Sequence, residues 1–296
     1  MRGFADFEAR TIDTERGSIF VRAGGAGTPL LLLHGFPETG LMWRDTAPLL
    51  AGDATVIVAD LPGYGASAYP RDPADRDAMS KRAMAQALVE AMRALGHARF
   101  AVAGHDRGGR VAYRMALDHP EVIERVAVLD MVPTIEVWER ADARTMLAFW
   151  PFALLAQPAP FPERLLAAAP EAVVDHALAC WGSPPETFPA AIRQAYVDAL
   201  RDRAHSICEE YRAAADIDRT HDEADRDAGR MIECPLLALW SARGGPAHWY
   251  DDAGGVIGIW RRWASSVAGE AIDGGHFFPE EFPGRTAALL RAFLAG

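Results

Sequence analysis

The stretch Phe100-Ala-Val-Ala-Gly104-His105-Asp106-Arg107-Gly108-Gly109 decides how this chain is interpreted. It begins as an apolar strand and leads into a helical pattern from Arg110 to Leu117. A strand, a sharp turn and a helix in this order, with Gly-x-nucleophile-x-Gly at the turn, lift the central side chain clear of the sheet edge. That central residue is Asp106, so we predict an aspartate nucleophile. The alternative is that Asp106 only caps the helix.

An aspartate nucleophile restricts the chemistry. A carboxylate needs no base to deprotonate it, and its natural target is an sp3 carbon that carries a leaving group. The product is an ester on the enzyme. Its hydrolysis requires a base that activates water and donors that hold the oxyanion on the aspartyl carbonyl.

A tight loop after the apolar strand Pro29 to Leu33 offers such donors. The loop is His34-Gly-Phe36-Pro37, and sites in open α/β sheets gather at the carboxyl ends of the strands. We therefore expect the backbone N–H groups of Phe36 and Arg107 to form the oxyanion hole. A simple turn at the end of the strand is the alternative.

The predicted base is His276. It lies in Asp273-Gly-Gly-His276-Phe-Phe-Pro279, after the last predicted strand, and so follows the chain order nucleophile, acid, histidine. A capping or packing role for this histidine is the alternative.

Two positions could supply the acid that orients His276. Asp130 ends the apolar run that begins at Val126, and Asp251 or Asp252 follows a later strand after a longer loop. We prefer Asp130. The alternative is that Asp130 only starts a turn at the end of the strand.

Arg107 and Arg110 flank Asp106 at a spacing of three residues and can face the same pocket. Two guanidinium groups beside the nucleophile could hold a substrate carboxylate while Asp106 attacks the adjacent carbon. The alternative is that these arginines form ion pairs with surface acids.

Short apolar runs alternate with helical patterns along the chain, which predicts a mostly parallel sheet flanked by helices. The predicted hairpin is Phe7 to Ile12 with Gly17 to Arg22. The other predicted strands are Pro29 to Leu33, Thr55 to Ala59, Phe100 to Gly104, Val126 to Leu129, Pro235 to Trp240 and Gly269 to Ile272. The predicted flanking helices are Ser80 to Leu95, Gly109 to Asp118 and Arg285 to Leu294. Residues 133–230 lack strand patterns, so we predict a helical cap there and a core formed by residues 1–132 and 231–296.

Composition excludes several classes of function. The 296 residues carry a net charge of −11 with no basic cluster, which disfavours a nucleic-acid partner. No apolar run is long enough to span a membrane, and residues 1–10 lack the features of a signal peptide, so we expect a cytoplasmic protein. The three cysteines, Cys180, Cys208 and Cys234, indicate neither a disulfide framework nor a metal site.

Together these motifs resemble the fluoroacetate (haloacetate) dehalogenases, a family with the α/β-hydrolase fold. The resemblance rests on the Asp106 turn, His34 to Pro37, Asp60-Leu-Pro-Gly-Tyr-Gly-Ala-Ser67 and Gly275-His-Phe277, and it extends through the cap at Gln157 to Pro160 and Cys208 to Arg212. It implies that Asp106 displaces halide from the α-carbon of a small anionic haloacid. Arg107 and Arg110 would hold the carboxylate, and His276 with Asp130 would release glycolate. It implies no cofactor or metal, and it suggests a homodimer.

One departure from the family concerns the halide. Family members carry a His-Trp pair in the cap which, with a further Trp and a Tyr, binds the leaving fluoride. Pro151 and Phe152 occupy those two positions here, and neither donates a side-chain hydrogen bond. Trp181 and Tyr211 match the other two positions, and Trp150 is a weaker candidate. We therefore expect haloacetate hydrolysis with uncertain action on the C–F bond.

Two other functions use the same residues. An epoxide hydrolase also attacks with an aspartate but needs cap phenols, usually two tyrosines, and Tyr196 is the other cap tyrosine beside Tyr211. A catalytically silent binding protein on the same fold is the third possibility.

Overall fold

Eight strands form one sheet in the computed structural model, which describes residues 3–68, 70, 75 and 77–296. The strands are β1 (Glu8–Thr14), β2 (Gly17–Gly25), β3 (Thr28–Leu33), β4 (Ala54–Ala59), β5 (Phe100–His105), β6 (Ile123–Leu129), β7 (Leu236–Ser241) and β8 (Val267–Ile272). Their order in the sheet is β1-β2-β4-β3-β5-β6-β7-β8. β2 is antiparallel to both β1 and β4, and every other neighbouring pair is parallel. All eight strands expected from the sequence are present, so the predicted α/β fold with a mostly parallel sheet is confirmed.

The central strands are apolar along their whole length because helices cover both faces of the sheet. Alternate residues of β3 divide between two cores, since successive strand side chains point to opposite faces. Leu31 and Leu33 pack with one core, and Leu30 and Leu32 pack with the other.

The helices that accompany the sheet include the three expected ones. Those three are α2 (Lys81–Ala94), α3 (Asp106–Asp118) and α14 (Pro283–Ala295), and the others are α1 (Ala47–Leu50), α12 (Gly255–Trp260) and α13 (Phe278–Glu281). α3 begins three residues before its expected start because the turn at Asp106 is already helical.

The remaining α-helices lie between β6 and β7, inside the continuously described stretch 77–296. They are α4 (Thr134–Glu139), α5 (Ala143–Ala148), α6 (Trp150–Leu155), α7 (Phe161–Ala168), α8 (Pro170–Cys180), α9 (Ala190–Asp202), α10 (Ala204–Ala215) and α11 (Ile217–Asp227). They occupy the segment 133–230 that the sequence assigned to a helical cap. The division of the chain into core and cap remains a prediction.

The loops after β3, β5, β6 and β8 begin at the carboxyl ends of parallel strands, so they meet at one edge of the sheet. These loops carry Phe36, Asp106, Asp130 and His276. Within the described residues, no helix combines the length and the apolarity needed to cross a membrane.

Candidate active site

The turn between β5 and α3 is too crowded for larger residues. A Cβ atom on Gly104 would overlap the Gly108 carbonyl, and one on Gly35 would lie 2.8 Å from the Asp106 Cβ. Asp106 has a φ of 44° and is the first residue of α3. The residue that precedes the helix is His105, and its side chain makes no capping bond. The turn therefore presents the Asp106 side chain instead of using it as a cap.

The surroundings of Asp106 keep its carboxylate ionised. Burial alone would raise its pKa, but the nearby His276, Arg107 and Arg110 outweigh burial, so the pKa lies below its ordinary value of 3.8. The Phe36 N–H donates to Asp106 Oδ2 across 3.2 Å. The Arg107 N–H belongs to the first turn of α3, where amides have no acceptor within the helix. Both expected oxyanion donors thus belong to residues that adjoin or contact the carboxylate.

His276 pairs with Asp130. Its Nδ1 lies 2.6 Å from Asp130 Oδ2, and Asp130 Oδ1 accepts from the Ser241 N–H at 2.7 Å. Asp251 and Asp252 are exposed, and neither lines the cavity that contains Asp106. The geometry therefore favours the preferred acid, Asp130, and both it and His276 line that cavity.

The sequence did not predict the cluster of buried polar side chains that adjoins His276. His105 Nε2 lies 3.0 Å from the His276 carbonyl oxygen, and His105 Nδ1 lies 3.1 Å from Glu38 Oε2. Burial raises the pKa of Glu38 to about 7, and burial together with Glu38 raises the pKa of Glu280 well above 4.5. The Arg44 guanidinium pairs with Glu280. No local signal distinguished Glu38 and Glu280, because their proximity depends on contact between distant loops.

Arg107 and Arg110 are fully buried, and neither lines the cavity. Arg107 Nε donates to Glu210 at 2.9 Å, and Lys81 also pairs with Glu210. Arg107 thus forms an ion pair with an acid, as the alternative proposed, but that acid, Glu210, is buried and not at the surface. Arg110 Nη1 donates to the Val132 carbonyl at 2.9 Å.

Each of these two arginines keeps one nitrogen without a partner. The buried atoms Arg107 Nη1 and Arg110 Nε have no acceptor within the described residues. The Phe152 ring covers both guanidinium groups, with its centroid 5.1 Å from Arg107 Cζ and 4.9 Å from Arg110 Cζ. The two guanidinium groups thus lie beneath Phe152, which itself lines the cavity.

The cavity beside Asp106 has a volume of about 230 Å³. Its lining residues are Asp106, Asp130, Ala148, Phe149, Pro151, Phe152, Cys180, Trp181, Gly182, Tyr211, Arg243, Gly244, Gly245, Pro246, Trp249 and His276. Pro151, Phe152, Trp181 and Tyr211, which were expected at the halide pocket, thus line one cavity together with Asp106.

Of the cap residues expected at the halide pocket, few offer a free hydrogen-bond donor to this cavity. The Trp181 N–H donates to the Ala148 carbonyl at 2.8 Å and is therefore already occupied. Trp150 does not line the cavity, so its expected role in the pocket is not supported: it begins α6 and packs against Phe36 and the Trp181 ring. Successive helical residues turn by about 100°, and Pro151 and Phe152 face the cavity instead. Burial raises the pKa of Tyr211 well above 10, which keeps its hydroxyl available as a donor.

One group of possible metal ligands was found in the described part of the chain. Atoms of Glu163, His205 and Glu209 lie within 4.8 Å of one another, outside the cavity. Arg212 pairs with both glutamates, so a cation already neutralises them.

Comparison with known proteins gives consistent matches. A family model described as alpha/beta hydrolase fold matches residues 28–203. A fluoroacetate dehalogenase from Burkholderia sp. is 41% identical over 295 residues, which cover 99% of this chain and 95% of that protein. The crystal structure of an alpha/beta hydrolase from Nostoc sp. PCC 7120 has a TM-score of 0.93 and 41% identity, and the match covers 98% of this chain and 99% of that one. A soluble epoxide hydrolase from Corynebacterium sp. strain C12 is 30% identical over 88% of this chain and 87% of its own length.

Proposed function

We propose that this chain, which belongs to the haloacetate dehalogenase family of the α/β-hydrolase superfamily, hydrolyses short 2-haloacids to 2-hydroxy acids and halide. The observation that carries the proposal is the ionised Asp106 carboxylate in a cavity that it shares with the His276–Asp130 pair. A buried carboxylate nucleophile with a separate histidine base suits displacement at an sp3 carbon followed by ester hydrolysis.

In the first step, Asp106 attacks the α-carbon, and the halide leaves with the electron pair of the carbon–halogen bond. Arg107 and Arg110 would hold the substrate carboxylate, which requires the Phe152 ring that covers both guanidinium groups to give way to the substrate. Their charge also offsets the repulsion between an anionic substrate and the Asp106 carboxylate.

In the second step, His276 takes a proton from water, and the resulting hydroxide attacks the aspartyl carbonyl. Asp130 would hold the His276 ring through Nδ1 and stabilise its protonated form. The N–H groups of Phe36 and Arg107 would stabilise the oxyanion on Asp106. When the oxyanion collapses and the bond to the alkoxide oxygen breaks, His276 would return its proton to that oxygen, and the hydroxy acid leaves.

Fluoride is expected to be a poorer leaving group here than chloride or bromide. Pro151 and Phe152 donate no hydrogen bond, and the Trp181 N–H is engaged by Ala148. Fluoride depends on hydrogen-bond donors more than larger halides do, and of the cap residues expected at the halide pocket Tyr211 alone keeps a donor that no described residue occupies.

A halide-release assay tests the proposal directly. Release should be faster from chloroacetate and bromoacetate than from fluoroacetate, and turnover in heavy-oxygen water should place label in Asp106. A faster rate with fluoroacetate would contradict the halide preference. Turnover that leaves Asp106 unlabelled would instead require direct attack by water.

Epoxide hydrolysis is the second candidate, supported by the similarity to the Corynebacterium enzyme. Of the tyrosines that the structure describes, Tyr211 lines the cavity, whereas the Tyr196 hydroxyl donates to the buried Glu280. Epoxide opening usually uses two tyrosine hydroxyls, and of the two cap tyrosines only Tyr211 lines this cavity. Diol formation from styrene oxide without halide release from chloroacetate would favour this candidate.

A silent binding protein would retain affinity for an acid while turning over no halide or epoxide, and Asp106→Ala would leave that affinity unchanged. The homodimer and the cytoplasmic location suggested at the sequence level remain predictions, which sedimentation and cell fractionation would check.

A further inference from the structure

The cavity beside Asp106 reaches solvent on one side. Among its lining residues, Cys180, Gly182 and Arg243 are exposed, and they are here termed the cavity mouth. A Cβ atom on Gly182 would lie 4.0 Å from the Arg243 Cβ, so these two residues adjoin. The cavity therefore opens between the end of α8 and the loop that follows β7.

Arg243 places a permanent positive charge at this mouth. Of the lysines and arginines that the structure describes, Arg243 alone lines the cavity, and the buried Arg107 and Arg110 do not. The carboxylates of Asp106 and Asp130 line the same cavity and repel any anion that enters it. The guanidinium that an entering anion can contact is therefore that of Arg243.

The Arg243 guanidinium has donors for a further acceptor. Its Nε donates to Asp273 Oδ1 at 2.9 Å, and neither Nη atom has an acceptor among the described residues. The side chains of Arg243 and Asp273 are 50% and 85% exposed, and an ion pair as exposed as this contributes little to stability. A carboxylate, which can accept two parallel bonds from a guanidinium, can thus bind to Arg243 at little cost.

The backbone of Arg243 is anchored to the proposed catalytic groups. The Arg243 N–H donates to Ser241 Oγ at 3.1 Å, and that hydroxyl donates to the Gly274 carbonyl at 2.6 Å, two residues before His276. The Ser241 N–H in turn donates to Asp130. The base of the Arg243 side chain is therefore fixed beside the cavity, although its end is exposed.

We propose that Arg243 forms a carboxylate-binding site at the cavity mouth, which binds the haloacid on its way to Asp106 and the hydroxy acid as it leaves. The inference rests on the proposed function and adds to it a further residue that binds substrate. The charge of Arg243 also offsets the repulsion by Asp106 and Asp130 while the anion occupies the cavity. Asp273 competes with the substrate for the same guanidinium, so the two residues affect substrate affinity in opposite directions.

The first experiment measures kcat and KM for chloroacetate in variants of this ion pair. Arg243→Gln removes the charge and should raise KM by about fivefold, with kcat changed by less than about twofold because Arg243 does not contact the reacting atoms. Asp273→Asn removes the competing acid and should lower KM by about twofold. A loss of packing alone would not change KM in opposite directions in the two variants.

Arg285→Gln is the matched control for the loss of one arginine. Arg285 is 56% exposed, pairs with Glu270 and does not line the cavity, so its replacement should leave KM unchanged. An unchanged KM in Arg243→Gln would overturn the inference while leaving the proposed function intact. Absence of chloride release by the unmodified protein would instead overturn the proposed function.

The second experiment tests the site without chemistry. Calorimetric titration should find glycolate bound about fivefold more weakly by Arg243→Gln than by the unmodified protein. Glycolamide, which has the same shape but no charge, should bind both proteins equally. Equal weakening of the two ligands, or no binding of glycolate to the unmodified protein, would contradict a carboxylate site at Arg243.

Discussion

Asp106 and Asp130 share an uncommon backbone conformation. Their φ angles are 44° and 53°, in the left-handed region that residues with a Cβ atom seldom adopt. Such positions cost about 1–3 kcal/mol each and persist where the surrounding structure enforces them. Each residue directly follows the last residue of a strand, and both side chains line the same cavity. The strain is thus concentrated at the two acids for which we propose a chemical role.

Replacing the proposed base should separate the two chemical steps. His276→Asn removes the group that would activate water but leaves Asp106 able to attack, so we expect one equivalent of halide and then arrest. Steady-state turnover should fall by about 10²–10⁴-fold. Intact-mass measurement after adding chloroacetate should find the protein heavier by the carboxymethyl group of the ester. An unmodified mass after a full burst of halide would contradict the ester intermediate.

The Tyr211 hydroxyl should contribute more to kcat/KM for fluoroacetate than for substrates with larger halogens. Tyr211→Phe should lower kcat/KM for fluoroacetate by about 10- to 100-fold, as expected for one hydrogen bond to a charged group, and that for bromoacetate by much less. Tyr250→Phe is the control, because Tyr250 is equally buried but does not line the cavity. Equal losses for the two halides would indicate that Tyr211 acts by packing.

At the scale of elements, α10 supports α3. Glu210 on α10 accepts from Arg107 on α3 and also pairs with Lys81, and all three side chains are buried. Burial would raise the pKa of Glu210, but Arg107 and Lys81 outweigh it, so its pKa lies below 4.5. The contact fixes the guanidinium that we propose binds substrate, and it joins a cap helix to the nucleophile helix.

Breaking this contact should destabilise the protein. Glu210→Gln leaves the buried Arg107 without its ion-pair partner, whereas Lys81 keeps Asp218, and we expect a loss of about 3–5 kcal/mol in the free energy of unfolding. Glu209→Gln, one residue away and half-buried, should cost less than about 1 kcal/mol. Because the folded-state pKa of Glu210 is lowered, its contribution is present above about pH 4.5 and is lost as the pH falls. Urea unfolding near neutral pH would measure both variants, and similar losses would refute the assignment.

At the scale of the whole molecule, Glu38 and Glu280 link segments far apart in the chain. Both carboxyl groups are buried, each affects the pKa of the other, and each has one buried oxygen, Glu38 Oε1 and Glu280 Oε2, that lacks a donor. One proton held between the two carboxyl groups satisfies both oxygens, as in other close carboxyl pairs. Folding therefore binds a proton that the unfolded chain releases at lower pH.

Binding of this proton should make the free energy of unfolding depend on pH. The folded pKa of Glu38, about 7, lies above its ordinary 4.5, so its protonated form stabilises the fold at low pH and that stability is lost as the pH rises towards 7. Relative to the parent, Glu38→Gln should gain up to about 3 kcal/mol between about pH 5 and 8. The exposed Glu223→Gln should show no such trend. Parallel pH profiles for the parent and Glu38→Gln would exclude a shared proton.

Local patterns were sufficient to predict the strands, the Asp106 turn, the Phe36 loop and the position of His276. Each depends on neighbours within a few residues: the glycines around Asp106 leave no room for side chains, and a continuous apolar run forms a strand covered on both faces. The sequence left two candidates for the acid, and the β6–β7 register brought Asp130 to His276.

The tertiary structure alone determined which polar groups remain free. Arg107 meets Glu210 across 103 residues, and the indole of Trp181 donates to Ala148 across 33. Neither contact has a local signal, because both depend on how the helices between β6 and β7 pack against the sheet edge and against one another. The sequence by itself thus determined the fold and the turn that presents Asp106, since short-range sterics and periodicity specify them. Packing decided which polar groups around the cavity are already hydrogen-bonded, since hydrogen bonds are assigned only when distant segments meet.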